Sequence, residues 1–136
     1  LTLFPYTTLF RSYGATPDFM RHSPERIFKM TVEELHDFCK KNGWILSQAH
    51  PFRTMISYHH PEFLDAAEVI NDNPRQQNNN DLAIKYAKEN NLIQTAGSDF
   101  HEPQDARAGV FLKNAVNSEK ELVSELKKRV HEPFAF

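Results

Sequence analysis

The sequence contains little of several features that define special classes of protein. It has one cysteine in 136 residues, which excludes an internal disulfide framework and is typical of a reducing compartment. The 16 basic and 18 acidic residues give a formal net charge of −2, so there is no strong overall attraction to nucleic acid. No run approaches the roughly 20 apolar residues that a membrane helix needs. We therefore expect a cytoplasmic globular protein that does not enter a membrane.

The first twelve residues differ in character from the rest. They are apolar and threonine-rich, and they lack the charged start and the cleavage site of a signal peptide. Residues 2–12 resemble the translation of a synthetic DNA-sequencing adapter, and a native edge strand is the alternative interpretation. We expect residues 1–12 to be non-native and residues 13–136 to belong to one domain.

Helical and strand patterns alternate along the remaining sequence. Thr31 and Glu34 have the spacing of a capping box, which predicts a helix that ends near Gly43. The later patterns predict strands at 44–48, 66–71, 92–96 and 109–112, and helices at 81–90 and 118–130. Residues 76–80 form a short low-complexity run that we expect to be a solvated loop. This alternation predicts an α/β fold with a parallel sheet, in which ligands bind at the carboxyl ends of strands.

Two predicted strand ends carry side chains suited to metal binding. Asp99 and His101 form an Asp-x-His motif, and in an extended segment residues i and i+2 point the same way, so both could ligate one ion or adjacent ions. Gly97 allows close backbone approach, and Ser98 can bond the loop or a ligand carboxylate. His50 follows the first predicted strand. It is a candidate third ligand, and a satisfied buried histidine is the alternative.

Other side chains near these strand ends each have more than one interpretation. Arg53 and Arg107 could hold an anionic phosphate bidentately or could brace a loop at the surface. Glu68 could be a ligand, a hydrogen-bond acceptor behind the ligands or a support for neighbouring backbone, and we favour the last two. His59 and His60 precede the second predicted strand, where they could be solvated or could form a lid that contacts substrate.

Three motifs, taken in order, carry a family resemblance. They are Ser-Gln-Ala-His-Pro-Phe-Arg at 47–53, Glu-Val-Ile-Asn at 68–71 and Ala-Gly-Ser-Asp-Phe-His at 96–101. Their order and spacing resemble the later motifs of the polymerase-and-histidinol-phosphatase (PHP) family, including its PHP-associated C-terminal region. The resemblance implies a distorted (β/α)7 TIM-like barrel with parallel strands alternating with helices. Residues 13–136 would then be the C-terminal part of one PHP domain.

The resemblance also implies an activity. PHP proteins are metal-dependent phosphoesterases, so the implied reaction is hydrolysis of phosphomonoesters, or of nucleotide and oligonucleotide phosphodiesters, by metal-activated water. His50, Asp99 and His101 match metal ligands of the family and would be the catalytic residues. The intact protein would hold two or three divalent ions, which are zinc, manganese or iron. The expected partner is a small phosphorylated substrate, a nucleotide or an oligonucleotide, and no stable protein partner is predicted.

The sequence departs from the family at one motif. PHP domains open with His-x-His, and no His-x-His occurs in these 136 residues. We therefore expect a fragment with an incomplete metal site and with little or no hydrolysis of its own. Three alternatives stay open: a non-catalytic accessory or binding module, an amidohydrolase-like enzyme that cleaves a C–N bond, and a structural α/β domain.

Overall fold

Strands are separated by α-helices or by short 3₁₀ turns in the computed structural model, which describes residues 9–22, 25–56 and 59–136. The elements are β1 (Phe10–Tyr13), α1 (Pro17–Arg21), α2 (Val32–Lys41), β2 (Ile45–Gln48), β3 (Ala66–Asn71), α3 (Asn80–Glu89), β4 (Ile93–Gly97), β5 (Ala108–Phe111), α4 (Glu119–Lys127) and β6 (Glu132–Ala135). None of the helices in the described ranges is long and apolar enough to cross a membrane.

The larger sheet has the strand order β1-β2-β3-β4. Strands β2, β3 and β4 pair in parallel, which confirms the predicted α/β fold with a parallel sheet. The expectation of parallel strands throughout is wrong at both ends of the chain. Strand β1 runs antiparallel to β2, and β5 pairs with β6 in a separate antiparallel sheet. Neither sheet in the described part of the chain closes into a barrel.

Helices cover both faces of the parallel sheet, as alternating side chains of its strands require. Leu46 and Ala67 point to the face covered by α2 and α3, where Cys39 is fully buried. The preceding residues, Ile45 and Ala66, point to the opposite face and pack against α4. A large aliphatic side chain buried in this way contributes about 1.5–3 kcal/mol to folding. These two apolar layers hold the strands in register and so fix their carboxyl ends relative to one another.

The helix ends follow local chemistry. The capping box is confirmed, since Thr31 Oγ1 accepts from the Glu34 N–H and the Glu34 carboxylate accepts from the Thr31 N–H. Helix α4 is shorter than the pattern predicts. It ends at Lys127, because Arg129 has a left-handed φ of 58°, and Val130 beyond it is half exposed.

The segment with adapter-like sequence falls partly inside the described structure. Residues 10–12 form most of β1 and pair with β2, whereas residues 1–8 lie outside the described residues. Strand β1 is one edge strand of the sheet, and β4 is the edge strand on the other side. The strand ends that carry the sequence motifs are those of β2, β3 and β4.

Candidate metal and phosphate site

The motif side chains meet at the carboxyl ends of the parallel strands. His50 follows β2, Asn71 ends β3 and Asp99 follows β4, so three neighbouring strands contribute to one site. His50 and Asp99 both have positive φ angles, 30° and 49°. A positive φ is uncommon for residues other than glycine and often occurs at functional sites. The chain thus turns sharply at both positions, immediately after each strand.

An arginine–aspartate pair lies at the centre of the site. Arg53 Nη2 donates to Asp99 Oδ2 at 2.7 Å, and the two side chains are only 15% and 14% exposed. Burial alone would raise the pKa of Asp99, but the hydrogen bond and the positive charge of Arg53 outweigh it and hold that pKa below its ordinary value. Asp99 is therefore ionised at neutral pH. Asn73 donates to the same oxygen, and within the described residues Asp99 Oδ1 accepts no hydrogen bond.

His50 is buried and neutral. Burial is the main cause that lowers its pKa to about 4, and the charge of Arg53 adds to the effect. Its backbone N–H donates to Glu68 Oε2 at 2.9 Å. Its ring Nδ1 is buried and bonds to none of the residues that the structure describes. Buried polar atoms nearly always have a partner, so this nitrogen is suited to a ligand that the protein itself does not supply.

Glu68 connects the strand ends behind His50. Its Oε2 also accepts from Asn71 Nδ2 at 2.9 Å, and burial raises the pKa of its carboxyl. A Cβ placed on Gly97 would lie 2.6 Å from Glu68 Oε1, so this carboxylate occupies the space that a side chain on β4 would need. The geometry is that of a support for the backbone of His50. Whether Glu68 also acts behind a metal ligand stays a prediction.

His101 lies at the exposed rim of the site, and its side chain is 65% exposed. The segment that begins at Asp99 is not extended, since Asp99 has a positive φ. The prediction that an extended backbone makes the side chains of Asp99 and His101 point the same way is therefore wrong. The turn nevertheless brings His101 Nδ1 within 3.9 Å of Asp99 Oδ1 and within 2.6 Å of the Asp99 carbonyl oxygen. Asp105 accepts the backbone N–H of His101, and hydrogen bonds, chiefly from Arg75, hold its pKa well below the ordinary value.

The other predicted site residues lie apart from this pair. Arg107 is half exposed, and it contacts Asp72 at 3.5 Å and the carbonyl of Phe136. Ser98 is half-buried, and its hydroxyl bonds to none of the described residues. The ring of His59 stacks on Phe52 at 4.4 Å and bonds the backbone of the His50 loop. His60 bonds Glu62 at the surface.

The donors present fit a divalent ion in their chemistry. A neutral imidazole and an ionised carboxylate suit zinc, manganese or iron. His50 and Asp99 are close enough to influence each other's pKa, and Asp99 and His101 are neighbours. Within the described ranges, however, no group of three or more His, Cys, Asp or Glu side chains could hold a metal ion as it stands. These residues therefore supply part of a coordination shell.

Sequence reasoning missed the asparagines that hold Arg53. Asn78 is buried, accepts from Arg53 Nε at 2.9 Å and donates to the Asn71 carbonyl, and Asn71 Oδ1 accepts from Arg53 Nη2 at 3.2 Å. The expectation of a solvated loop at 76–80 is wrong for Asn78. Its amide can donate and accept at once, which allows it to satisfy an arginine and a backbone carbonyl together.

Sequence reasoning also missed Asp105, for which a local signal existed. Glu102, Pro103 and Asp105 have the spacing of a capped turn, with proline at its first position. No local signal marks Arg75, which reaches Asp105 from the loop after β3.

These observations define an α/β protein with a polar site at the carboxyl ends of parallel strands. Residues 77–130 match the family model described as PHP-associated. The predicted relation to the C-terminal region of the PHP family is thereby confirmed. The matched range contains Asn78, Asp99 and His101 and begins after His50 and Arg53. A search of curated proteins gives no match to the chain.

Proposed function

We propose that the chain forms part of a metal-dependent phosphoesterase of the PHP type. Its substrates would be phosphomonoesters, or nucleotide and oligonucleotide phosphodiesters, and its location would be the cytoplasm. The observation that carries the proposal is the buried Nδ1 of His50, which has no partner among the described residues and lies near the ionised Asp99. The PHP-associated match over 77–130 supports the same class of protein.

Three residues would hold the metal: His50, Asp99 and His101. His50 would bind as a neutral imidazole, since its pKa of about 4 keeps it unprotonated near pH 7. Asp99 would bind through Oδ1, the oxygen that faces His101. A bound divalent ion would lower the pKa of water, so that hydroxide, the nucleophile for phosphoester hydrolysis, would be available near neutral pH. Further ligands would complete the coordination that these residues begin.

Arg53 is the stronger candidate for binding the substrate phosphate. Two of its nitrogens are held by Asn71, Asn78 and Asp99, and its Nη1 bonds to none of the described residues. A guanidinium fixed in this way loses little conformational entropy when it binds a phosphate oxygen, and it offsets the charge that develops there. Arg107 is the weaker candidate because it already contacts Asp72 and a backbone carbonyl.

Metal binding tests the proposal directly. We expect Mn²⁺ or Zn²⁺ to bind the chain in equilibrium dialysis, and we expect Asp99→Asn and His50→Gln each to weaken binding about tenfold or more. Asp81→Asn is the matched control, because Asp81 is exposed in the first turn of α3. Equal metal binding by all four proteins would contradict the proposed ligands.

Hydrolysis by the full-length gene product separates the candidate functions. We expect cleavage of p-nitrophenyl phosphate or bis(p-nitrophenyl) phosphate and no cleavage of cyclic amides. Cleavage of amides alone would favour the amidohydrolase-like alternative. Metal binding without any hydrolysis would favour an accessory module.

A further inference from the structure

A second arginine–aspartate pair joins two loops beside the site. Arg75 lies in the loop after β3, and Asp105 lies in the loop between β4 and β5. The guanidinium donates twice to the carboxylate, Nη1 to Oδ1 at 3.1 Å and Nη2 to Oδ2 at 2.5 Å. Asp105 is completely buried, whereas the Arg75 side chain is 43% exposed. Two parallel hydrogen bonds of this kind restrict both distance and orientation.

The same carboxylate holds the backbone of the Asp-x-His segment. Asp105 Oδ2 accepts the N–H groups of His101 and Glu102, each at 3.0 Å. Four hydrogen bonds therefore converge on one buried side chain, two from the backbone of its own loop and two from the neighbouring loop. Three of these bonds are accepted by Oδ2 and one by Oδ1, and the side chain is completely buried, so Asp105 is placed to hold the loops and not to bind a metal or substrate.

Arg75 also connects to Asp99 through Asn73. The Arg75 backbone N–H donates to Asn73 Oδ1 at 3.0 Å, and Asn73 Nδ2 donates to Asp99 Oδ2 at 3.5 Å. The loop after β3 thus connects to the Asp-x-His segment in two ways: directly to the carboxylate of Asp99 through Asn73, and indirectly to the backbone of His101 through Asp105. The residue that makes the first connection, Asn73, is hydrogen-bonded to Arg75, and the residue that makes the second is Asp105 itself.

We propose that Arg75 and Asp105 are positioning residues that fix the backbone of the Asp-x-His segment and hold His101 beside Asp99. Neither residue would touch metal or substrate. Their importance for catalysis rests on the proposed function, but their effect on the segment does not, since it is a property of the metal-free chain. Without Arg75, a fully buried carboxylate would keep only its two backbone donors, and the segment would open more often.

Amide hydrogen exchange measured by NMR, in the presence of a chelator, tests this positioning role. In Arg75→Gln we expect the amides of His101 and Glu102 to exchange about tenfold faster or more, relative to amides of β3, because charge-assisted hydrogen bonds that restrain the segment are lost. Lys85→Gln is the matched control. It removes an exposed ion pair with Glu89 in α3, at 3.8 Å, and should leave both amides unchanged.

Two further variants keep the test decisive. Arg75→Lys retains the charge but loses the two-pronged geometry, so its acceleration should be intermediate. Asp105→Asn should accelerate the exchange of the same two amides. If Asp105→Asn does not fold, Arg75→Lys serves as the second variant in its place. Unchanged exchange at His101 and Glu102, or acceleration spread evenly over all amides, would overturn the positioning role. Failure of metal binding with local acceleration intact would instead refute only the proposed function.

Discussion

The inner part of the site and its rim use the same residue types in different ways. In the inner part, Arg53 and Asp99 are both mostly buried, and the hydrogen bonds that Asp99 accepts from the described residues go to one oxygen only. At the rim, both oxygens of Asp105 accept hydrogen bonds, one at Oδ1 and three at Oδ2, from Arg75 and from backbone N–H groups. A carboxylate with an oxygen that accepts no hydrogen bond can bind a ligand, whereas a completely buried carboxylate whose two oxygens both accept hydrogen bonds holds the chain. The comparison therefore assigns ligand binding to the inner pair and positioning to the rim pair.

Removal of Arg53 should have the largest effect on the inner part. Arg53→Gln leaves Asp99 mostly buried without its counter-ion, which should lower the free energy of unfolding by about 3 kcal/mol. Urea denaturation near pH 7 measures this change. Arg107→Gln is the control, because Arg107 is half exposed and its ion pair with Asp72 should contribute about 1 kcal/mol or less. Equal losses in the two variants would mean that Asp99 does not depend on Arg53.

The asparagine behind Arg53 should have the next largest effect. Asn78→Ala removes the acceptor of Arg53 Nε and leaves the carbonyl of Asn71 without this donor, so we expect a loss of about 2 kcal/mol in unfolding free energy. Asn42→Ala provides the comparison, since the amide of Asn42 makes an exposed bond to the carbonyl of Phe38 and should contribute about 0.5 kcal/mol. A neutral Asn78→Ala substitution would show that residues 76–80 are held by something other than this side chain.

Periodicity predicted the parallel part of the fold because its strands and helices are locally consistent. Apolar runs between helical patterns located β2, β3 and β4, and the capping box located the start of α2. Strand β6 and the pairing of β5 were not predicted, since a short edge strand that contains Pro133 has no clear pattern. The end of α4 depends on the φ angle of Arg129, which hydropathy does not encode.

The candidate site was predictable only where its chemistry is carried by distinctive residues. His50, Asp99 and His101 were singled out because imidazole and carboxylate groups follow predicted strands. Asn78 and Arg75 were missed, because their importance comes from contacts with residues 25 and 30 positions away. Sequence spacing does not report such contacts, and a low-complexity run of polar residues has the same composition whether it is solvated or buried.

Gly97 tests whether the space behind the inner part is already filled. Its Cβ position lies 2.6 Å from the carboxylate of Glu68, which His50 and Asn71 hold in place, so Gly97→Ala should lower the unfolding free energy by about 1.5 kcal/mol. Gly109→Ala is the matched control in β5. Among the described residues its Cβ would meet the ring of Phe134 at 3.5 Å, which is an ordinary contact, so this substitution should change stability by about 0.5 kcal/mol or less. A tolerated alanine at Gly97 would mean that Glu68 moves freely.

The pH dependence of His50 tests the inner part by titration instead of by a change of side chain. Because its folded-state pKa of about 4 lies below the unfolded value of 6.5, the unfolded chain binds more protons between these pH values. The contribution to stability is therefore complete above about pH 6.5 and is lost as the pH falls toward 4. Two-dimensional NMR of the chain in the presence of a chelator should show His50 titrating near 4. His50→Gln should remove this part of the pH dependence of the unfolding free energy. Arg53→Gln should restore the pKa of His50 only in part toward 6.5, since burial is the larger cause of its lowering. Titration of His50 near 6.5 in the unmodified chain would contradict a buried, neutral imidazole in the inner part of the site.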